Sequence, residues 1–377
     1  MKICLIGNGI SPLILANLLA NRNIEVSIYE EDQACNKLIS RTLGISKNNF
    51  NFLKNEKIYL KKKFWPINEI KIFTELDRNK EVLNFGTKND KAFFIINYED
   101  LNNFLLKNTK KNKFIKKNKI KNISFYNSIL RKKDNYDLIL NFNEKNEISK
   151  KLFFKRNEKD YNSKAFTSLI YHEKCDNNIA QQIFTKFGPL AFLPCSENQT
   201  SVVFSILNHK NIISDHEIKK LILSYNNKYN IKKFSKFEKF KLRSSVLKNY
   251  YYNKILCFGE NLHKIHPLAG QGLNMTIRDI KIFLDIIDFR INLGLPIDKS
   301  ILLEFTNKTK HYNYLFSSGI DFIHEFFKLD NNFGNLYSKK LFNFLEKNSL
   351  FKKYTTKIAD KGFFNHWIVL LLKLSSL

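Results

Sequence analysis

Two glycine-punctuated stretches of this 377-residue chain carry residue types suited to phosphate and ribose chemistry. In the first, Gly7-Asn8-Gly9-Ile10-Ser11-Pro12 follows the apolar run Ile3 to Ile6 and precedes Leu13 to Ala20. Gly7 permits a tight turn, and Gly9 lets backbone approach a pyrophosphate at a helix N-terminus. Glu30, 23 residues after Gly7, ends the next strand-like run and is placed to accept hydrogen bonds from a ribose hydroxyl. Pro12 stands where a third glycine is usual, and proline is tolerated in a first helical turn because its missing N–H would be unpaired anyway. The stretch reads as a dinucleotide site, with an ordinary strand–turn–helix connection as the other reading.

In the second, Gly259-Glu260-Asn261 follows the apolar run Ile255 to Phe258. His266-Pro267-Leu268-Ala269-Gly270-Gln271-Gly272-Leu273-Asn274-Met275 comes next, then Arg278-Asp279. Two close glycines before a helix expose consecutive N–H groups, which suit a phosphate or an electron-rich ring edge. A glycine-rich helix cap is the simpler alternative. His263 and His266 are three apart, a metal-like spacing, but no further ligand completes a set. Tyr250-Tyr251-Tyr252 reads as a half-buried strand or as a stacking surface. Trp367 to Leu374, too short to span a bilayer, reads as the end of a core helix or as an interfacial anchor.

These motifs need strands and helices to hold them. Ile3 to Ile6, Leu13 to Ala20 and Ile24 to Tyr29 predict strand, helix, strand. Short strand-like runs recur at 70–73, 93–96, 137–140 and 255–258, and helical patterns at 99–108 and 275–288. Runs at 166–171 and 201–207, separated by Phe187-Gly188-Pro189, predict a second sheet in the middle of the chain. From about Ser300 onward the pattern is helical.

Hydrophobic content of 44% and aromatic content of 14% exclude wholesale disorder, and the length favours two packed domains. Met1-Lys2 runs straight into a strand-like segment rather than a secretory leader, and no stretch reaches the roughly 20 apolar residues of a spanning helix. Five cysteines without a CxxC pair are expected to be buried free thiols in a reducing cytoplasm. The net charge is +28, yet only eight of the 63 basic residues are Arg. Nucleic-acid readout favours the Arg fork, so no nucleic-acid partner is expected. The densest lysine cluster, Lys107 to Lys121, reads as a solvated face, with an anionic membrane or a partner as alternatives.

The string from His266 to Met275 with Arg278-Asp279 resembles the third FAD motif of the aromatic hydroxylases, in its ubiquinone-biosynthesis version. Arg41-Thr42-Leu43-Gly44-Ile45-Ser46 is similar to that branch's Arg-x-x-Ala-Leu-Ser, and 187–194 to its Gly-Pro-Leu-Ala-Leu-Leu-Pro. The helical tail around Gly319-Ile320-Asp321 and 352–362 also resembles it. The resemblance implies an α/β fold: a Rossmann-type FAD-binding domain (1–60, 100–150 and 250–300), a mixed β-sheet substrate domain (61–99 and 151–249) and a helical C-terminal tail (301–377). It implies that Gly7, Gly9 and Glu30 hold the ADP half of FAD, and that Arg41 lies near the pyrophosphate or ring. Gly259 and Glu260 would serve the ribityl-phosphate side, and Pro267, Gly270, Gln271, Gly272, Leu273 and Asn274 would line the isoalloxazine. In such hydroxylases NAD(P)H reduces FAD, which with oxygen gives a flavin hydroperoxide that hydroxylates an activated phenol; no side-chain nucleophile is required.

The chain departs from this pattern where the branch has Ala-Asp-Gly after Asp137 to Leu140, since it carries Phe142-Asn143-Glu144. Thr276 also replaces a glycine. Either NAD(P)H use is altered, or the register near 142–144 is shifted, or the site has decayed. The expected function is hydroxylation of a polyprenylated phenol for ubiquinone. A non-catalytic FAD-binding accessory of a quinone-synthesis assembly, or a flavin oxidoreductase that does not activate oxygen, is the alternative. The expected location is the cytoplasm, with peripheral association on the inner face of the membrane and quinone-synthesis proteins as partners.

Overall fold

A computed structural model of the chain describes residues 1–31, 41–60, 63–75, 81, 83–86, 90–131, 134–207, 214–266 and 270–332. Pro267, Cys35 and the stretch Trp367 to Leu374 lie outside the described residues.

The strands Lys2–Ile6, Glu25–Glu31, Ile115–Ile120, Leu138–Asn141 and Ile255–Cys257 run parallel in one six-stranded sheet, closed at one edge by the antiparallel Tyr251–Tyr252. Ile3 pairs with Val26 on one side and Leu138 on the other. Ile3 to Ile6 and Leu138 to Asn141 are buried throughout, as central strands covered on both faces must be. The helix Ile10–Ala20 starts three residues earlier than the apolar run suggests, and Pro12 sits in its first turn. Every one of its residues except Ser11 is buried. Such all-round burial reflects its place between the sheet and the helices Tyr98–Lys111 and Gln271–Asn292. Its one buried amide, Asn17, donates to Leu13 O and Thr109 Oγ1.

The middle of the chain forms a second sheet of nine strands, with the 17-residue strand Arg156–His172 near its centre and a β-bulge between Asp160 and Ser163. Most of its pairs are antiparallel, but Ile179–Thr185 runs parallel to Glu69–Thr74, so the sheet is mixed. One face packs under the helix Asp215–Tyr225 through Phe73, Phe192 and Phe204. The other meets a three-stranded antiparallel sheet of Thr42–Ser46, Trp65–Ile67 and Phe93–Asn97 through Ala180, Leu193 and Ile95. The motif around Arg41 thus folds as a strand, which periodicity alone did not reveal. Within the lysine-rich segment, Ile115–Ile120 is also a strand. It lies at a sheet edge, where exposed lysines discourage further pairing.

Cys4 and Cys257 are buried, whereas Cys175 and Cys195 are only half-buried; none of these four is in a disulfide. Burial pushes the Cys195 thiol up to about 12. No helix among the described residues is long and apolar enough to cross a membrane.

At the far end of the first helix, Arg22 grips Asp288 at 2.6 and 2.8 Å and Glu56 at 3.0 and 3.2 Å. One guanidinium therefore joins the C-terminal ends of three helices. Arg22→Ala should lower unfolding free energy by about 2–3 kcal/mol, because two partly buried carboxylates lose their partner. Arg22→Lys should recover less than half of it, as a point charge cannot fork. Urea denaturation of the three proteins checks both statements.

Candidate functional site

The strand Leu138–Asn141 lies between Lys2–Ile6 and Ile255–Cys257, with Asn141 level with Ile6 on one side and Cys257 on the other. The turns at Gly7 and Gly259 therefore emerge on either side of Phe142. Both glycines have positive φ, +148° and +63°. A Cβ on Gly7 would stand 2.9 Å from Phe142 Cβ, and one on Gly259 3.1 Å from the Phe142 ring and 3.6 Å from Ser11. Conformation and space both demand glycine at these two positions.

Beyond the turns, two helices begin without protection. Ile10–Ala20 starts from Gly9 and Gln271–Asn292 from Gly270, which is left-handed at φ +62°. Neither has a side-chain cap or an acidic residue in its first turn. Each presents unpaired N–H groups and the positive end of a helix dipole, the ordinary recipe for holding a phosphate or a polarised ring. A Cβ on Gly9 would meet only Pro12 at 3.9 Å, and one on Gly272 would meet nothing within 4 Å. Among the described residues, Gly272 thus faces open space and Gly9 faces only its own helix's Pro12.

The strand that starts at Thr42 ties the two regions together. Asn274 donates to Gly44 O at 2.9 Å and accepts from Ser46 N and Asn49 Nδ2, so the first turn of Gln271–Asn292 is fixed to it. Immediately before that strand, Arg41 reaches Glu260 at 3.6 Å and lies over the Tyr98 ring. Gln271, Gly272 and Leu273 are half-buried beside them. Gly7, Gly9, Arg41, Gly259, Glu260 and 270–274 are thus linked by contacts into one region. Glu30 lies one residue before the end of the strand next to Gly7, whose N–H donates to Tyr29 O, but its carboxylate is held by Lys117 at 2.8 Å. Sequence reading gave Glu30 no such partner.

The segment 142–144 is committed within the protein. Phe142 N donates to Ile6 O, so the segment begins level with Gly7. Asn143 donates to Glu31 Oε2 at 2.7 Å, and Tyr126 donates to the other oxygen of Glu31. Glu144 is bridged by Arg243 at 2.5 Å and Lys264 at 3.4 Å, both on the nine-stranded sheet. Burial opposes ionisation of Glu144, but the two cations outweigh it and hold its carboxyl below the usual range.

Beneath the turns lies a buried amide network. Asn141 donates to Asn146 and Ser149, and Asn261 donates to the Asn141 carbonyl at 2.9 Å. Arg156 donates to the Asn261 backbone at 2.8 Å and its side chain at 2.5 Å. Sequence reading missed Asn141, Ser149 and Arg156. The available signal was a polar residue closing the fully apolar run Leu138 to Leu140.

The histidines separate in role. His263 Nε2 lies 2.8 Å from Asp279 Oδ2, with both side chains fully buried. Asn313 donates to the same oxygen, and Arg278 to the other at 3.1 Å. His266 packs edge-on against Tyr161. Arg278-Asp279 therefore joins two helices and a strand internally. Burial alone would raise the Asp279 carboxyl, but Arg278 and the hydrogen bonds from His263 and Asn313 outweigh it and hold it below the usual carboxylate range. A lowered folded value means its stabilisation is complete above the unfolded value of about 4 and is lost as pH falls below that. Asp279→Asn should cost about 3 kcal/mol at neutral pH and flatten the acid limb of a stability–pH curve measured by urea denaturation.

Residues 164–284 match the FAD binding domain family. The chain is 29% identical over 93 residues to the mitochondrial ubiquinone biosynthesis monooxygenase COQ6 of Schizosaccharomyces pombe, covering 24% of this chain and 19% of that protein. It is 23% identical over 177 residues to the ubiquinone hydroxylase UbiL of Rhodospirillum rubrum, covering 45% and 41%. The matched stretches thus span less than half of these relatives' own length. Among solved structures, p-nitrophenol 4-monooxygenase PnpA from Pseudomonas putida superposes with a TM-score of 0.75 at 10% identity, covering 96% of this chain and 97% of that one. A single-residue variant of Klebsiella pneumoniae HpxO, complexed with FAD, gives 0.67 at 10%, covering 91% and 94%. The chain has the α/β fold of these FAD-dependent monooxygenases, and stretches of its sequence are similar to the ubiquinone-biosynthesis hydroxylases.

Proposed function

We propose that this protein binds FAD and hydroxylates an aromatic ring, a polyprenylated phenol on the route to ubiquinone, with NAD(P)H as reductant. The observation that carries the reading is the pair of uncapped helix starts at Gly9 and Gly270, with open space among the described residues at Gly272 and only Pro12 near Gly9. These residues fit the cofactor, since bare N–H groups and absent Cβ atoms suit a pyrophosphate and a ring edge. Gly7, Gly9 and Glu30 would hold the ADP half, Arg41 and Glu260 the diphosphate and ribityl region, and Pro267 with 270–274 the ring. Bound FAD supplies hydride acceptance and oxygen activation. The protein's own part is to orient the ring and exclude water. In this reading 1–60, 100–150 and 250–300 form the cofactor domain, 61–99 and 151–249 the substrate domain, and 301–377 a helical tail.

A second reading rests on Asn143 and Glu144, whose polar groups are held by Glu31, Arg243 and Lys264. If nicotinamide needs a carboxylate there, the protein is an FAD-binding accessory of a quinone-synthesis assembly, or a flavin oxidoreductase that does not activate oxygen. Flavin bands in the visible spectrum with steady NAD(P)H oxidation support the first reading; bands without turnover support the second. The substrate is insoluble in water, so we infer peripheral association with the cytoplasmic face of a membrane.

Gly272→Val should abolish flavin retention while leaving the fold intact, because a side chain there meets no protein atom. Absorbance of the purified variant decides this, with circular dichroism as the folding control. Glu30→Ala should weaken FAD by about 1–3 kcal/mol through a lost charged hydrogen bond, and Lys117→Gln, which only frees Glu30 from its partner, should weaken it less. Flavin titration of the apoprotein compares the two.

A further inference from the structure

Four helices end together on the side of the six-stranded sheet away from the glycine turns. Arg22 joins the ends of Ile10–Ala20, Lys47–Asn55 and Gln271–Asn292 through Glu56 and Asp288. Asn17 bonds Thr109, near the end of Tyr98–Lys111, and Asn21, Lys57 and Asn108 line one shallow cleft of about 380 Å³. The helix Gln271–Asn292 is roughly 30 Å long, so this end lies far from its bare start.

Two features meet here. The first is an exposed apolar segment formed by the last turn of Gln271–Asn292 and the loop that follows it. Phe289 is 56% exposed, Ile291 45%, Leu293 58% and Leu295 42%, with Leu303 at 50% on the following helix. The second is a set of exposed lysines at neighbouring helix ends: Lys54, Lys57, Lys107, Lys110, Lys111 and Lys113. Of the carboxylates at this end, Asp288 and Glu56 are taken by Arg22 and Glu304 by Arg290 and Lys308, while Asp285 and Asp298 are exposed.

We propose that this end is a membrane-docking surface, with the 289–295 segment entering the headgroup region of an anionic bilayer and the lysines facing its phosphates. This deepens the peripheral association inferred above by giving it a place that does not involve residues 367–377. The exposed apolar area of these five residues sums to roughly 450 Å², in the range of the largest and often functional patches on monomers. It is well below the about 800 Å² per partner of a standard protein interface. The charge of +28 matches an anionic surface and opposes self-association. Apolar insertion and cationic attraction each bind weakly alone and stably together.

The test is co-sedimentation of the full chain with phosphatidylcholine vesicles containing or lacking phosphatidylglycerol. Binding should require phosphatidylglycerol and fall about tenfold or more in the double variant Leu293→Ser, Leu295→Ser. It should fall comparably in the triple variant Lys110→Gln, Lys111→Gln, Lys113→Gln, and high salt should mimic the triple variant. Leu293→Trp with brominated lipids gives a reading that does not depend on loss of binding: its fluorescence should be quenched. Failure of the full chain to bind, or binding that survives both multiple variants, overturns the proposal. So does binding that is lost only when 367–377 are removed. Equal binding to soluble polyglutamate with no quenching of the tryptophan would assign the surface to an acidic protein instead. None of these readouts uses flavin, so a failure here is distinct from a failure of the proposed activity.

Discussion

Three chain segments more than a hundred residues apart must finish level with one another, and the buried amides of Asn141 and Asn261 enforce it. A parallel sheet gives its strands no hairpin to fix where each one stops. Here Asn261 donates to the carbonyl of Asn141, while Arg156 grips Asn261 from the long strand of the other sheet. An amide that lost its partners in that interior would carry the full desolvation cost, so the alignment is strongly specified. The glycine turns, the Phe142 wedge between them and the two bare helix starts inherit their positions from this alignment.

The departure at 142–144 follows the same logic. Phe142 fills the space between two glycine turns, which a smaller residue would leave thinner. Asn143 and Glu144 bind the six-stranded sheet to its own second strand and to the nine-stranded sheet. A segment whose polar groups are satisfied by the protein has become structural, whatever else it does.

The strand–turn–helix–strand opening, the strand after Asp137 and the helix after Gly272 were legible because glycine and apolar periodicity mark them directly. The strand Thr42–Ser46 was not, since five residues with Gly44 at the centre carry little β signal. Its pairing with Phe93–Asn97 is a long-range choice that no local pattern records. The lysine-rich strand Ile115–Ile120 was hidden by its four exposed middle positions, because only its two end residues, Ile115 and Ile120, pack against the core. In the site, glycines announced themselves through spacing, but Asn141 and Asn261 are two among many asparagines. What distinguishes them is burial, which depends on the whole fold. Glu30 lies one residue short of the strand end expected for it, and its neighbour Lys117 arrives from a different part of the chain.

In a composition so heavily given over to lysine, the eight arginines form a residual set. Arg22 and Arg278 each join two separate residues with one planar group, Arg156 holds Asn261 by backbone and side chain at once, and Arg243 and Arg290 each reach across from another element. Lysine can supply the charge at any of these places, but not two donors held rigidly in one plane. At these five places, two pieces of backbone are riveted together by one guanidinium. A map of these five arginines is thus also a map of joints between separate parts of the chain.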